Sequence, residues 1–360
     1  MMVRTCVALA ASTLFAGAVH AAPLTADEML KQFNVVVNGD LTSTSHVHGR
    51  TYVGGALQGG DYVQEVAKTA ASAYAGLTVG GSASGTIHVN DLGAVVGGSV
   101  SGFTVNKGQA YVGGSASSST FNNDAWIGGA ASGVNFNGAA HAASTANGTN
   151  INNKLEAPTA LMNSAVAAAT STDFANVMHN MTTKLSALSA TKDTSVAFTN
   201  NSHEVTFTGT GDANGVLVFD LTELDSKIFS ATTTDISFNL TNATTVIFNT
   251  NDAALSLTAN INADYSLGSS LIWNFAGAES VTVGRTFLGQ VLVADGTFSN
   301  VGGANVEGGV YAQTFNQYGE VHVQQFSGSL ATAVPEAETY AMMLAGLGML
   351  AFISRRRKSA

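Results

Sequence analysis

Cysteine, proline, tryptophan and charge are all scarce in this chain. Its 360 residues hold one cysteine, three prolines and two tryptophans, and only 11% are charged. The cysteine is Cys6, inside an N-terminal stretch that reads as an export signal, so no disulfide can brace the remainder. Disorder couples low hydrophobicity to high charge, whereas 45% of these residues are apolar. Lysine and arginine number 14 against 24 acids, a formal charge of −10. Setting aside Arg4 and the basic C-terminal cluster makes the rest more acidic still, which argues against nucleic acid as a partner. Between the two terminal segments the only arginines are Arg50 and Arg285. What the chain has in quantity is glycine, 39 residues, set among alanine, serine, threonine and asparagine.

The two ends read as addresses. Arg4, the apolar run Thr5–Val19 and the small-residue site Val19-His20-Ala21 predict a signal peptide over 1–21, handled by the Sec machinery, with the mature chain starting at Ala22. At the other end stand Val334-Pro335-Glu336, an apolar run from Tyr340 to Ile353, and Arg355-Arg356-Arg357-Lys358. The run of 14 residues is short of the ~20 of a comfortable span, and crosses with help from snorkelling arginines. This predicts a transmembrane helix over 340–353 with the basic cluster on the cytoplasmic side. The whole segment 334–360 resembles a PEP-CTERM sorting signal, with its three parts in the family's order and Ala337 in place of the usual second proline. The resemblance implies an exosortase as partner, transient anchoring in the inner membrane, and a final place at the cell surface or in the extracellular matrix. A plain tail anchor is the alternative.

Between the ends a Gly-Gly pair closes strand after strand: Gly54-Gly55, Gly80-Gly81, Gly97-Gly98, Gly113-Gly114 and Gly128-Gly129, with first glycines 26, 17, 16 and 15 residues apart. Such periods signal a solenoid. Val53, Val79, Val96, Val112 and Ile127 precede the pairs, and Thr51, Leu77, Ala94, Ala110 and Ala125 stand two residues earlier, so both sets share the inward face. Tyr52, Thr78, Val95, Tyr111 and Trp126 then point outward. Small inward residues predict a thin core, and positive φ is the expected reason for the glycines. The chain is thus assigned to the all-β class, a parallel β-helix over 22–333.

A helical insertion is expected at about 158–190. Phe174, Val177, Met178, Met181, Leu185 and Leu188 form one apolar stripe, Thr172 or Asp173 is the expected N-cap, and Pro158 the expected first helical residue. Strand alternation resumes at Thr194 and runs through Val196-Phe198, Val205-Phe207, Val216-Val218, Ile236-Phe238, Val246-Phe248 and Leu255-Leu257.

The opening Phe33–Leu41 and Val47-His48-Gly49-Arg50-Thr51-Tyr52-Val53-Gly54-Gly55 resemble the start of the choice-of-anchor A domain. Ile272–Phe275, Gly289–Ala294, Val306–Ala312 and Gly319–His322 resemble its end, although Ala294-Asp295-Gly296 replaces the family's proline turn. The resemblance spans about Phe33–Gly328. It implies a bacterial surface protein of adhesive character and brings no catalytic residues.

Chemistry is thinly signalled. His46 and His48 share one strand face, as do Glu320 and His322, but a metal site needs three or four ligands and neither pair has a third nearby in sequence. Exposed histidines, with no metal and no cofactor, are therefore the expectation. Gly80-Gly81-Ser82-Ala83-Ser84-Gly85 lacks the aspartate of calcium-binding nonapeptides. The acids Asp61, Glu65, Asp91, Asp124, Asp212, Asp220 and Glu223 are scattered, against an enzyme. Tyr52, Tyr111 and Trp126, about a coil apart, are the candidate ligand surface, as an aromatic ladder for sugar rings. Two function classes follow: a non-catalytic adhesive or structural protein in exopolysaccharide or biofilm, or a carbohydrate-binding or ice-binding module. Ice binding calls for a regular threonine array, and Thr206 and Thr208 stand alone.

Overall fold

The computed structural model describes residues 22–330 except 200 and 202. The signal peptide (1–21) and the sorting segment (334–360) with its helix over 340–353 lie outside the described residues. Among the described residues no helix is long and apolar enough to cross a membrane.

The strands form a parallel β-helix. Along its first ladder Thr51, Leu77, Ala94, Ala110 and Ala125 stack in register, as do Val53, Val79, Val96, Val112 and Ile127, and both rows are buried. A second ladder stacks Leu57, Ala83, Val100, Ala116 and Ala131, and a third Tyr62, Val89, Val105, Phe121 and Phe136. Each turn of the chain thus crosses all three ladders, in two or three strands, with one side of each strand entering the core.

The glycines serve a different purpose from the one expected. None of the paired corner glycines has positive φ. A Cβ at Gly113 would lie 2.5 Å from the Gly97 carbonyl oxygen, and one at Gly128 equally close to that of Gly113. Corner rests on corner, so glycine is needed for close stacking and not for a left-handed turn. Polar ladders continue this contact. The Ser99 amide donates to Ser82 Oγ (3.1 Å) and the Ser115 amide to Ser99 Oγ (3.0 Å). At another corner Asn106 Nδ2 donates to Asn90 Oδ1 (2.9 Å) and Asn137 Nδ2 to Asn122 Oδ1 (2.7 Å).

Coil order in space differs from coil order in sequence. The first strand, Val35–Val37, is central: it pairs with Thr51–Val53 on one side and with Val310–Ala312 on the other. Coils after it stack away from this centre as far as Ala140–Ala146. The chain then returns through helices to the opposite end, where Val216–Asp220 begins a second stack. This proceeds through Thr245–Thr250, Leu271–Phe275 and Phe287–Asn300 back to Val306–Gln317. Two half-solenoids therefore abut at a seam. A four-stranded sheet forms a further face of the second half: Glu204–Thr210, Asp235–Thr241 and Asn260–Asn262 stack in parallel, and the antiparallel strand Ser195–Thr199 covers the outer edge of Glu204–Thr210.

Helices cover one flank. Helix α1 (Ala26–Gln32) opens with a capping box between Thr25 and Glu28. Helix α2 (Ala160–Ala169) is capped by Thr159, which places Pro158 one residue ahead of the cap instead of inside the helix. Helix α3 (Phe174–Ser186) is capped by Asp173 and buries Phe174, Met178, Met181 and Leu185. Those side chains meet Met29, Leu30, Val36, Ile247, Ile272, Leu292 and Tyr311 in a second core outside the solenoid. Asn274 fastens α3 there, its Nδ2 donating to the Thr182 carbonyl (3.2 Å) while its Oδ1 accepts from Thr182 Oγ1 (2.5 Å).

Candidate functional site

The seam brings together what the sequence holds apart. Strand Val321–Val323 pairs with Val306–Gly308 on one side and with Val47 on the other, which sets Glu307, His322 and His48 in one outward row. Glu320 and His46 begin the neighbouring row, continued by Asp61 and His88. The pairs His46/His48 and Glu320/His322, each lacking a third partner in the sequence, complete one another across more than 270 residues.

The geometry is compact. His322 Nε2 is 2.8 Å from Glu320 Oε2, and His48 Nε2 is 3.2 Å from the same oxygen. His322 Nδ1 is 2.6 Å from Glu307 Oε1, and Glu307 is only 4% exposed. Beside this, Asp61 bridges His46 (3.1 Å) and His88 (2.5 Å), and His46 Nδ1 reaches Glu320 at 3.5 Å. The hydrogen bond that His322 donates to the Glu307 carboxylate, joined by that to Glu320, raises the His322 pKa. Burial, reinforced by the neighbouring His322, lowers that of His48. Glu320 is held below the usual carboxylate range, first by its hydrogen bond to His322. One histidine is thus biased toward the cation and its ring neighbour, 4.4 Å away between centroids, toward the neutral form.

Main-chain and side-chain hydrogen bonds hold the seam from both sides. Buried Asn34 donates to the Gly308 carbonyl (2.6 Å) and accepts from the Gly49 amide (2.9 Å). Tyr311 Oη donates to the Phe33 carbonyl (2.8 Å). Among the described residues buried Arg50 meets main-chain carbonyls in place of a carboxylate, donating to those of Gln32, Ala70, Tyr74 and Ala75. Burial draws its pKa down to about 10.

The stretches that resemble the choice-of-anchor A domain are those that meet here. A family model described as an ice-binding-like adhesive domain matches residues 26–323. The chain belongs to this family. A second model, the PEP-CTERM protein-sorting motif, matches 333–358, a stretch that includes Val334, Pro335, Glu336, Arg355, Arg356, Arg357 and Lys358. The two together mark an exported, surface-associated protein built on an adhesive domain. No curated protein and no solved structure matches the chain.

Tyr52, Tyr111 and Trp126 stand in a single column of the adhesive domain, Tyr311–Val36–Tyr52–Thr78–Val95–Tyr111–Trp126–His141. That column faces the helical flank. Tyr52 packs under α3, its ring 4.4 Å from that of Phe174, and the strand of Tyr111 lies against α2. Trp126 stacks on His141 at 3.7 Å, nearly parallel. The next flank carries a column that single-strand reading did not isolate: Ser256–Thr282–Ser299–Asn316–Thr42–Gln58–Ser84–Ser101–Ser117–Ser132. All ten side chains carry a hydroxyl or amide, none is buried, and the column crosses the seam unbroken. An open groove at its edge is lined by Thr42, Ser45, His46, Gln58, Asp61 and His88.

Proposed function

We propose that this protein is a non-catalytic adhesin of an extracellular polysaccharide matrix, delivered by the Sec machinery and cut by an exosortase near Pro335-Glu336. The observation that carries this reading is the exposed hydroxyl and amide column. At the ~4.8 Å spacing of paired strands it extends about 40 Å. Regular hydroxyls and amides suit many weak hydrogen bonds to a polymer, whose sum gives avidity without one tight pocket. The groove at His46, Gln58 and Asp61 adds a charged, directional element on the same edge. Purified protein is expected to co-sediment with extracted exopolysaccharide and leave its chain length unchanged, and deletion of the gene to weaken biofilm cohesion. Depolymerisation would move the protein to the lyases; no binding together with normal biofilm would overturn the reading. Intact mass of the exported protein tests the processing step, since retention of Arg355–Lys358 would indicate a plain anchor.

A second reading, an ice- or carbohydrate-binding module, draws on one observation. Thr206 and Thr208 share an outward face with Thr210, beside Ser237, Asn239 and Thr241 on the next strand. Threonines meet in pairs here and at Thr104/Thr120 and Thr297/Thr314, short of the regular array that ice calls for. Thermal hysteresis in the purified protein would favour this second reading. On the carbohydrate side, Tyr111 and Trp126 remain the aromatic candidates, and a glycan array with Trp126→Ala tests them.

A further inference from the structure

We propose that His48, Glu320 and His322 form a binding site for one divalent transition-metal ion of the zinc class, which staples the two half-solenoids at their seam.

Three observations converge. One ligand atom from each of the three residues lies within 4.8 Å of the other two, and His48 Nε2 and His322 Nε2 both face Glu320 Oε2. Ligands bound to zinc at ~2.0–2.2 Å in a tetrahedron stand about 3.3 Å apart. The distances of Glu320 Oε2 from the two nitrogens, 3.2 and 2.8 Å, need only small side-chain shifts to reach that spacing. Second, the orienting partner of a metal-bound imidazole is already present. Buried Glu307 holds His322 through Nδ1 at 2.6 Å, which leaves Nε2 facing Glu320. A carboxylate behind the ligating histidine fixes both its tautomer and its ring orientation. Third, the site is reachable, with side chains of His48, His322 and Glu320 exposed by 19%, 26% and 37%. Solvent can therefore supply the fourth ligand.

Donor type narrows the ion. Two imidazoles and one carboxylate suit zinc, nickel or copper, whereas calcium and magnesium take all-oxygen sets. The placement gives the ion a structural consequence. His48 comes from the first turns of the chain and His322 from the last, so one ion closes a loop of some 270 residues. Such a loop has a large closure entropy, and an ion that binds only the folded state shifts unfolding by mass action.

The test uses metal-stripped full-length protein titrated with Zn²⁺ against a chromophoric chelator, and separately with Co²⁺, whose absorption bands report coordination geometry. One tight equivalent, a low-symmetry four-coordinate Co²⁺ spectrum and a raised Tm are expected. The isosteric Glu320→Gln variant, and His48→Ala and His322→Ala, should each weaken binding at least tenfold. Glu307→Gln should weaken it by about ten- to a hundredfold by disturbing the orientation of His322. His179→Asn and His203→Asn, on exposed histidines elsewhere, should leave it unchanged. No binding, or binding that survives Glu320→Gln with folding intact, would overturn the proposal, as would equal loss in the two controls.

Discussion

The two half-solenoids solve one packing problem in opposite ways. The first is narrow and filled with alanine and valine: Ala94, Ala110, Ala125 and Ala140 follow one another along a single inward row. Its corners touch through glycine, and its polar ladders run through Ser82, Ser99 and Ser115. The second is packed with rings. Phe219, Phe248 and Trp273 stack along the corresponding row, with Phe207, Phe275 and Phe287 close by. Small residues allow coils of 15–17 residues with backbone against backbone, while large rings span a wider interior. The first half relies on repetition of weak contacts and the second on a few large side chains. A defect in the first should therefore disturb neighbouring coils, whereas in the second it should depend on which ring is removed.

Five substitutions sharpen this contrast, measured by denaturant unfolding and by hydrogen exchange resolved along the chain. Val112→Asp places a charge in the thin core and should cost about 4 kcal/mol or more, with protection lost first from Ala94–Val96 to Ala125–Ser132. Trp273→Ala removes the central ring of the second half and should cost about 3–5 kcal/mol while exchange in the first half stays unchanged. Equal loss of protection in both halves would mean that they unfold as one unit. Gly113→Ala drives a methyl against the Gly97 carbonyl and should cost about 1–3 kcal/mol. Gly148→Ala is an instructive partner, because nothing lies within 4 Å there and the penalty comes from φ +79° alone. Asn106→Ala interrupts the asparagine ladder and should cost about 1 kcal/mol.

Much of the first half was legible in the sequence because its repeat is short and each coil has the same punctuation. The inward rows follow from alternation about Gly-Gly, and α3 follows from a stripe of methionine, leucine and phenylalanine. The reason for the glycines was not legible, since close stacking and positive φ select the same residue. Coil order was hidden as well. Val35–Val37 carries no mark showing that its second partner is Val310–Ala312, because parallel strands of valine accept many neighbours. The histidine cluster was lost with that order, although both of its halves were visible as pairs. Asp61 and His88 escaped for a local reason: bulges between Gln58 and Gly60 and between Ser84 and Ile87 break the count from the glycine corner. Alternation puts Tyr52, Tyr111 and Trp126 in one column outside the solenoid core, but it cannot say that a helix formed more than a hundred residues later will lie over Tyr52.

Because the first strand is central, both tips of the rod are made from the interior of the sequence. Ala140–Ala146 forms one tip, and Ser195–Thr199 and Glu204–Thr210 with Val216–Asp220 form the other. The two ends of the described chain meet on the helical flank, where the Leu330 amide donates to Asp27 Oδ1 at 3.0 Å. A duplicated coil inserted near either tip would lengthen the molecule without parting Asp27 from Leu330 or disturbing His48, Glu320 and His322. Reach and attachment are thereby separated. The architecture can be extended at its tips by gene duplication, each added coil carrying one more hydroxyl outward, while the seam keeps a fixed geometry whatever the length of the rod.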